Sequence, residues 1–179
     1  MIYLMRHGKD DETRFGGWSV YGLTDEGRAQ AERAAESLVG NGISHIFSSD
    51  LARARETAEI AGKRLSLSVY LLPEFREVNN GVLAGMPKTD AAEKYPGLWF
   101  ASLDFDEPYP SGESPATFYK RICLAWTNFK IVASENKMTP LLVTHGGVIN
   151  AILCIENGAE FTNKSLTYRI PHAGIVEIK

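Results

Sequence analysis

His7 and His145 each follow an apolar run and each precede a glycine, in Leu4-Met5-Arg6-His7-Gly8 and Val143-Thr144-His145-Gly146-Gly147. A neutral imidazole nitrogen can attack phosphorus and carry the phosphoryl group covalently. The following glycine removes a side chain and lets backbone N–H groups approach an anion. Arg6 adjoins the first histidine. Arg53 falls in the first turn of a predicted helix, where a cation opposes the helix dipole at a cost of roughly 0.3–1 kcal/mol unless an anion is bound there. Arginine also presents a planar fork that matches phosphate. Together these residues describe a pocket able to stabilise the spread charge of a transferring phosphoryl group. The leaving alkoxide then needs a proton donor. Glu77 is placed for this, although residue type alone does not choose among Glu74, Glu77 and Glu113. Arg55 should point to another side of the same helix and is read as a surface residue.

The elements around these residues alternate in type. Ile2 to Met5 reads as a buried strand. Lys9 to Gly22 is a polar, Gly-containing functional loop. Thr24 is placed to cap a helix to about Val39, with Asp25 and Glu26 in its first turn. His45 to Ser48 forms a second strand. Asp50 is expected to cap a helix whose apolar face is Leu51, Ala54, Ala58, Ala61 and Leu65. Ser68 to Leu72 gives a third strand, and a short helix covers Thr89 to Tyr95. Ser114-Pro115 starts a helix with a buried stripe of Phe118, Ile122, Ala125, Phe129 and Val132. Leu141 to Val143 is a fourth strand, a helix follows from Val148, and Tyr168–Ile170 and Ile175–Ile178 are candidate final strands. This alternation predicts a three-layer α/β/α fold with a mostly parallel central sheet. Such sheets bind ligands at the carboxyl ends of their strands, where His7, Ser48-Ser49-Asp50 and His145 fall.

Composition narrows the partners. The 179 residues suit one domain spanning residues 1–179, with a candidate lid over residues 86–113. Lys plus Arg total 19 and Asp plus Glu total 22, a net charge of −3 that gives no general attraction for nucleic acid or anionic membrane. No apolar run approaches the length of a membrane span, so a cytoplasmic location is expected. Cys123 and Cys154 lie in no metal or disulfide pattern. The histidines lack ligand spacing, so neither a metal nor another cofactor is expected. His45 is read as structural, and His172 receives no role. Trp99, Phe100, Phe105 and Tyr109 either shape an apolar acceptor site or pack the candidate lid. Oligomeric state is not legible.

The residues also resemble a known family. Leu4-Met5-Arg6-His7-Gly8 is similar to the signature of the histidine phosphatase superfamily, also called phosphoglycerate mutase-like. Ser48 to Ala58 resembles its second phosphate motif. Glu77, Gly81 and Gly85 match its E-x-x-x-G-x-x-x-G pattern, Pro110 to Ser114 its P-x-G-E-S segment, and Val143 to Gly147 its second histidine motif. The resemblance implies His7 as nucleophile. Arg6, Arg53 and His145 would hold the phosphoryl group, and Glu77 would act as general acid and then base. Gly8, Arg14 and Gly146 would face the substrate. The implied reaction is hydrolysis of a small phosphorylated metabolite through phosphohistidine. The alternatives are a mutase of the same chemistry, disfavoured by the short stretch from Glu77 to Ser114, and a phosphate-binding module without turnover. The chain departs from the family pattern at Asp10 and Thr13, within an acidic run that bears on specificity.

Overall fold

The computed structural model describes residues 1–179. Five strands form one sheet in the order β3-β2-β4-β1-β5. They are β1 (Ile2–Arg6), β2 (His45–Ser48), β3 (Val69–Leu71), β4 (Pro140–Thr144) and β5 (Ile175–Ile178). The neighbours β3, β2, β4 and β1 run parallel, and only β5 is antiparallel to β1. The helices are α1 (Asp25–Ser37), α2 (Ala52–Leu65), α3 (Lys88–Lys94), α4 (Pro115–Glu135) and α5 (Gly146–Asn157). This is the expected three-layer arrangement.

Alternation along the strands divides the core. Ile2, Leu4 and Leu142 face α4 and α5, where Trp126, Ile122 and Ile149 are buried. Tyr3, Met5, Leu141 and Val143 face the opposite layer, where Ala35, Ala54, Ala58 and Ala61 bring α1 and α2 close to the sheet. A strand buried on both faces reads as a continuous apolar run, as Leu141-Leu142-Val143 does. Thr24 caps α1 by accepting from the Gly27 N–H, and Ser114 with Thr117 forms a capping box on α4.

Some local expectations fail for tertiary reasons. Asp50 does not cap α2, which has Leu51 at its N-cap with no side-chain bond. Its carboxylate instead pairs with the Arg76 guanidinium. Val132 is 48 % exposed because α4 turns that position outward, while Trp126 takes the central core place. Tyr168–Ile170 forms no strand, and the Ile170 carbonyl accepts from Arg6 Nη1 at 2.8 Å. The segment over residues 86–113 packs through Leu103 and Tyr109, both buried, while Trp99 and Phe105 stay exposed. No helix is long and apolar enough to cross a membrane.

Candidate active site

Register brings the two histidines together. β1 pairs with β4 so that Arg6 lies opposite Thr144, and the next residue of each strand is a histidine. The His7 N–H donates to the Thr144 carbonyl at 2.9 Å. The ring centroids of His7 and His145 are 5.1 Å apart. β2 ends beside them, and Ser49 Oγ lies 2.8 Å from His145 Nε2.

His7 is buried, with Nδ1 2.7 Å from the Gly8 carbonyl. A carbonyl accepts only, so Nδ1 carries the proton and Nε2 presents its lone pair. Arg53 Nε donates to that lone pair at 3.3 Å. Burial, followed by the Arg53 cation, holds the His7 pKa well below the usual imidazole value. Burial and the same cation hold His145 low as well. Both rings are therefore neutral near pH 7.

The guanidiniums are positioned from several sides. Arg53 is 2 % exposed on α2, donates to the Gly17 carbonyl at 2.8 Å and to Ser19 Oγ at 3.2 Å, and lies 3.4 Å from an Asp10 carboxylate oxygen. Arg55, two residues on, is a surface residue near Glu59, as expected. Arg6 Nε and His145 Nδ1 are buried without a hydrogen-bond partner. Such orphans cost free energy unless a ligand meets them, and an oxyanion is the natural complement to Arg6 Nε. A Cβ added to Gly146 would sit 3.4 Å from Arg6 Nε, so the bare glycine leaves that side of the guanidinium open.

The geometry also sorts the three glutamates. Glu74 is exposed. Glu113 is taken by Arg121, whose Nε and Nη2 each donate at 2.8 Å. Glu77 alone meets the start of α5, where its Oε2 accepts from the Gly147 N–H at 3.0 Å. A Cβ on Gly147 would lie 2.4 Å from Glu77 Oε1, so the glycine is what admits the carboxylate. The backbone of Glu77 is held by Trp18 Nε1, at 2.8 Å from its carbonyl, and by Arg121 Nη2, at 3.2 Å. Arg121 was not singled out by sequence; it sits mid-helix in α4, with no motif to mark its reach.

Two expected substrate contacts have their donors engaged by the protein itself. The Gly8 N–H donates to Thr57 Oγ1 at 3.1 Å, and a Cβ there would lie 2.3 Å from the Gly27 carbonyl oxygen. Gly8 is therefore needed for packing against α1, and its N–H is already engaged. Arg14 Nη1 donates to the Gly85 carbonyl at 3.0 Å, and its guanidinium stacks 4.9 Å from the Tyr21 ring centre.

His172 is the residue that the sequence reading missed. The Ala173 N–H donates to the His7 carbonyl and the Arg6 N–H to the Gly174 carbonyl, which fastens Pro171–Gly174 across the end of β1. His172 Nε2 then lies 2.8 Å from Arg6 Nη2, and its ring centre is 5.7 Å from that of His7. The available signal was the antiparallel pairing of β5 with β1, which sets the residues before β5 opposite those after β1. Since arginine only donates, Nε2 accepts. Replacing His172 with alanine frees one arm of Arg6. The expected result is a five- to tenfold weaker inhibition by inorganic phosphate, about 1–1.4 kcal/mol, with a smaller change in kcat. Glutamine should restore part of the affinity if the acceptor is what matters. An unchanged inhibition constant would contradict this role.

Residues 2–179 match the profile of the histidine phosphatase superfamily, branch 1. The chain belongs to that superfamily. It is 34 % identical over 158 residues to "Probable phosphoglycerate mutase GpmB" of Erwinia tasmaniensis, covering 85 % of this chain and 72 % of the relative. Among solved structures it is similar to mycobacterial glucosyl-3-phosphoglycerate phosphatase, with a TM-score of 0.80, 28 % identity, and coverage of 97 % and 87 % of the two chains. "Mycobacterial hydrolase 1" superposes with a TM-score of 0.81 at 28 % identity, covering 97 % of this chain and 86 % of that one. The superfamily resemblance and the fold read from the sequence therefore hold.

Proposed function

We propose that this chain hydrolyses small phosphomonoesters through a phosphohistidine on His7. The observation that carries this reading is the His7 ring itself: neutral, tautomerically fixed by the Gly8 carbonyl, and flanked by Arg53 and Arg6. An incoming phosphoryl group draws the Arg53 N–H from Nε2 to its own oxygen, which frees the lone pair. Nε2 then attacks phosphorus as the P–O bond to the alcohol breaks, and Glu77 gives its proton to the departing oxygen. Water next attacks phosphorus, the P–N bond breaks, and Glu77 takes the proton from the water. Arg6, Arg53 and His145 bear the charge of the equatorial oxygens throughout. The open start of α5 adds a favourable dipole, with the Gly146 N–H as a further donor.

Mutase-type transfer uses the same intermediate, and the names of the relatives from Erwinia tasmaniensis, Escherichia fergusonii and Yersinia pestis favour it. Phosphoryl exchange between phosphoglycerates faster than phosphate release would select it.

The reaction should proceed without a metal ion. His7, Asp10 and His172 are the one group of donor atoms close enough to share an ion, all within 4.8 Å of one another. Both histidine Nε2 atoms already meet a guanidinium, and a divalent cation placed there would face Arg6 and Arg53. Phosphate release from a phosphomonoester panel is expected to be unchanged by EDTA. Loss with EDTA and recovery with a divalent ion would overturn this.

A further inference from the structure

A cavity of about 500 Å³ adjoins the phosphoryl site and shares Glu77 and Gly147 with it. Its outer wall is aromatic. Phe15, Trp99 and Phe100 line it, and the Phe15 and Trp99 ring centres are 5.3 Å apart with planes tilted by 40°. Trp99 remains 48 % exposed although the neighbouring Leu103 and Tyr109 are buried. An indole left partly in water beside a second ring offers a surface for a third.

The same wall holds an unmet polar group. Asn80 is 3 % exposed and lines the cavity, and its carboxamide oxygen has no hydrogen-bond partner. Gly17 packs directly against it. A Cβ at Gly17, whose φ is +53°, would come within 1.8 Å of that oxygen. A buried acceptor without a partner is matched by a hydroxyl or N–H group on a ligand.

Two cations, Lys164 and Arg169, also line the cavity. Lys164 donates to the Ala101 carbonyl at 3.1 Å and to the Leu103 carbonyl, and Arg169 is exposed. Arg14, the other cation of the loop, is held by the Gly85 carbonyl and lies 3.4 Å from an Asp11 carboxylate oxygen. A small carboxylated alcohol without a ring would fill little of the volume and leave the aromatic wall uncovered.

We infer that the leaving group taken by this site is an alcohol bearing a planar apolar ring and a hydrogen-bond donor. The ring packs on Trp99 and Phe15, and the donor meets Asn80. This inference rests on the hydrolase reading above.

The test compares pairs of esters that share a leaving oxygen, so that alcohol acidity does not decide the outcome. One pair is 2-phenylethyl phosphate and ethyl phosphate; the other is uridine 5′-phosphate and ribose 5-phosphate. In each pair the ring-bearing ester should have a kcat/KM about tenfold higher, and 3-phosphoglycerate should rank with the poor substrates. Trp99→Ala should collapse both ratios toward one, and Trp99→Phe should keep most of them. Equal rates within the pairs, or ratios that survive in Trp99→Ala, would overturn the inference while leaving the hydrolase reading intact. Failure to release phosphate from any ester would overturn the hydrolase reading. The ratio of dissociation constants for the same pairs, by calorimetry on the same variants, would then decide the inference on the same criteria.

Discussion

His7→Ala is expected to reduce phosphate release by about 10⁴- to 10⁶-fold, the scale on which loss of a nucleophile acts in other hydrolases. No nearby group can replace it. His145 directs Nε2 to Ser49, and His172 spends its Nε2 on Arg6. The fold should survive, because β1 is tied by backbone bonds to β4 and β5 and not by the His7 ring. Far-UV circular dichroism should therefore be unchanged, while the phosphoenzyme trapped by quenching in alkali, where a P–N bond survives, disappears. Retained turnover would contradict the assignment. The pH response follows from the same burial. The His7 pKa lies well below 6.5 in the folded chain, chiefly through burial. The unfolded chain therefore binds more protons as pH falls below 6.5, and folded stability declines in that direction. This contribution is fully present above the unfolded value and is lost between it and the lower folded value. His7→Ala removes one such group, so its stability should fall less steeply on acidification. The lowered pKa also keeps the lone pair available, which places the acidic limb of kcat/KM below 6.5.

Much of this site was legible because parallel pairing makes strand ends equivalent. Once Leu4–Arg6 and Leu142–Thr144 are read as neighbouring buried strands, His7 and His145 fall at one edge of the sheet. Arg53 was legible through the family resemblance, whose second phosphate motif it matches, because a cation in the first turn of α2 suits an anion but does not by itself demand one. What local sequence could not show is competition from distant partners. Asp50 has the chemistry of a cap but is taken by Arg76, which also stacks 4.6 Å from the Trp18 ring. That pairing anchors the loop whose indole holds the Glu77 carbonyl. Gly8 looked like an anion-binding glycine, yet the close approach of α1 is what requires it. His172 and Arg121 act through long-range hydrogen bonds to Arg6 and to the Glu77 backbone, and nothing adjacent in sequence signals either.

Glu77→Gln should cost about 10²- to 10⁴-fold in kcat for an alkyl phosphate, the usual contribution of a positioned acid or base. The size of the loss should depend on the leaving group. An ester such as p-nitrophenyl phosphate departs without a proton, so formation of the phosphoenzyme is spared. Its hydrolysis is not spared, because water still needs a base. The variant should therefore give a burst of nitrophenol equal to the enzyme concentration, followed by slow turnover. A uniform loss across leaving groups with no burst would mean that Glu77 acts only by position. The substitution has a structural side that must be separated from the chemistry. Val78 N–H and Gly147 N–H bind different oxygens of Glu77, at 3.1 and 3.0 Å. Glutamine keeps one of those oxygens, so one N–H loses its acceptor, at about 1–2 kcal/mol. Glu113→Gln serves as the control. It weakens the paired hydrogen bonds to Arg121 and so loosens the clamp on the Glu77 backbone, but it removes no proton from the reaction. It should lower thermal stability without producing the burst. A burst in Glu77→Gln alone would locate proton transfer at that carboxylate and not in the network that holds it.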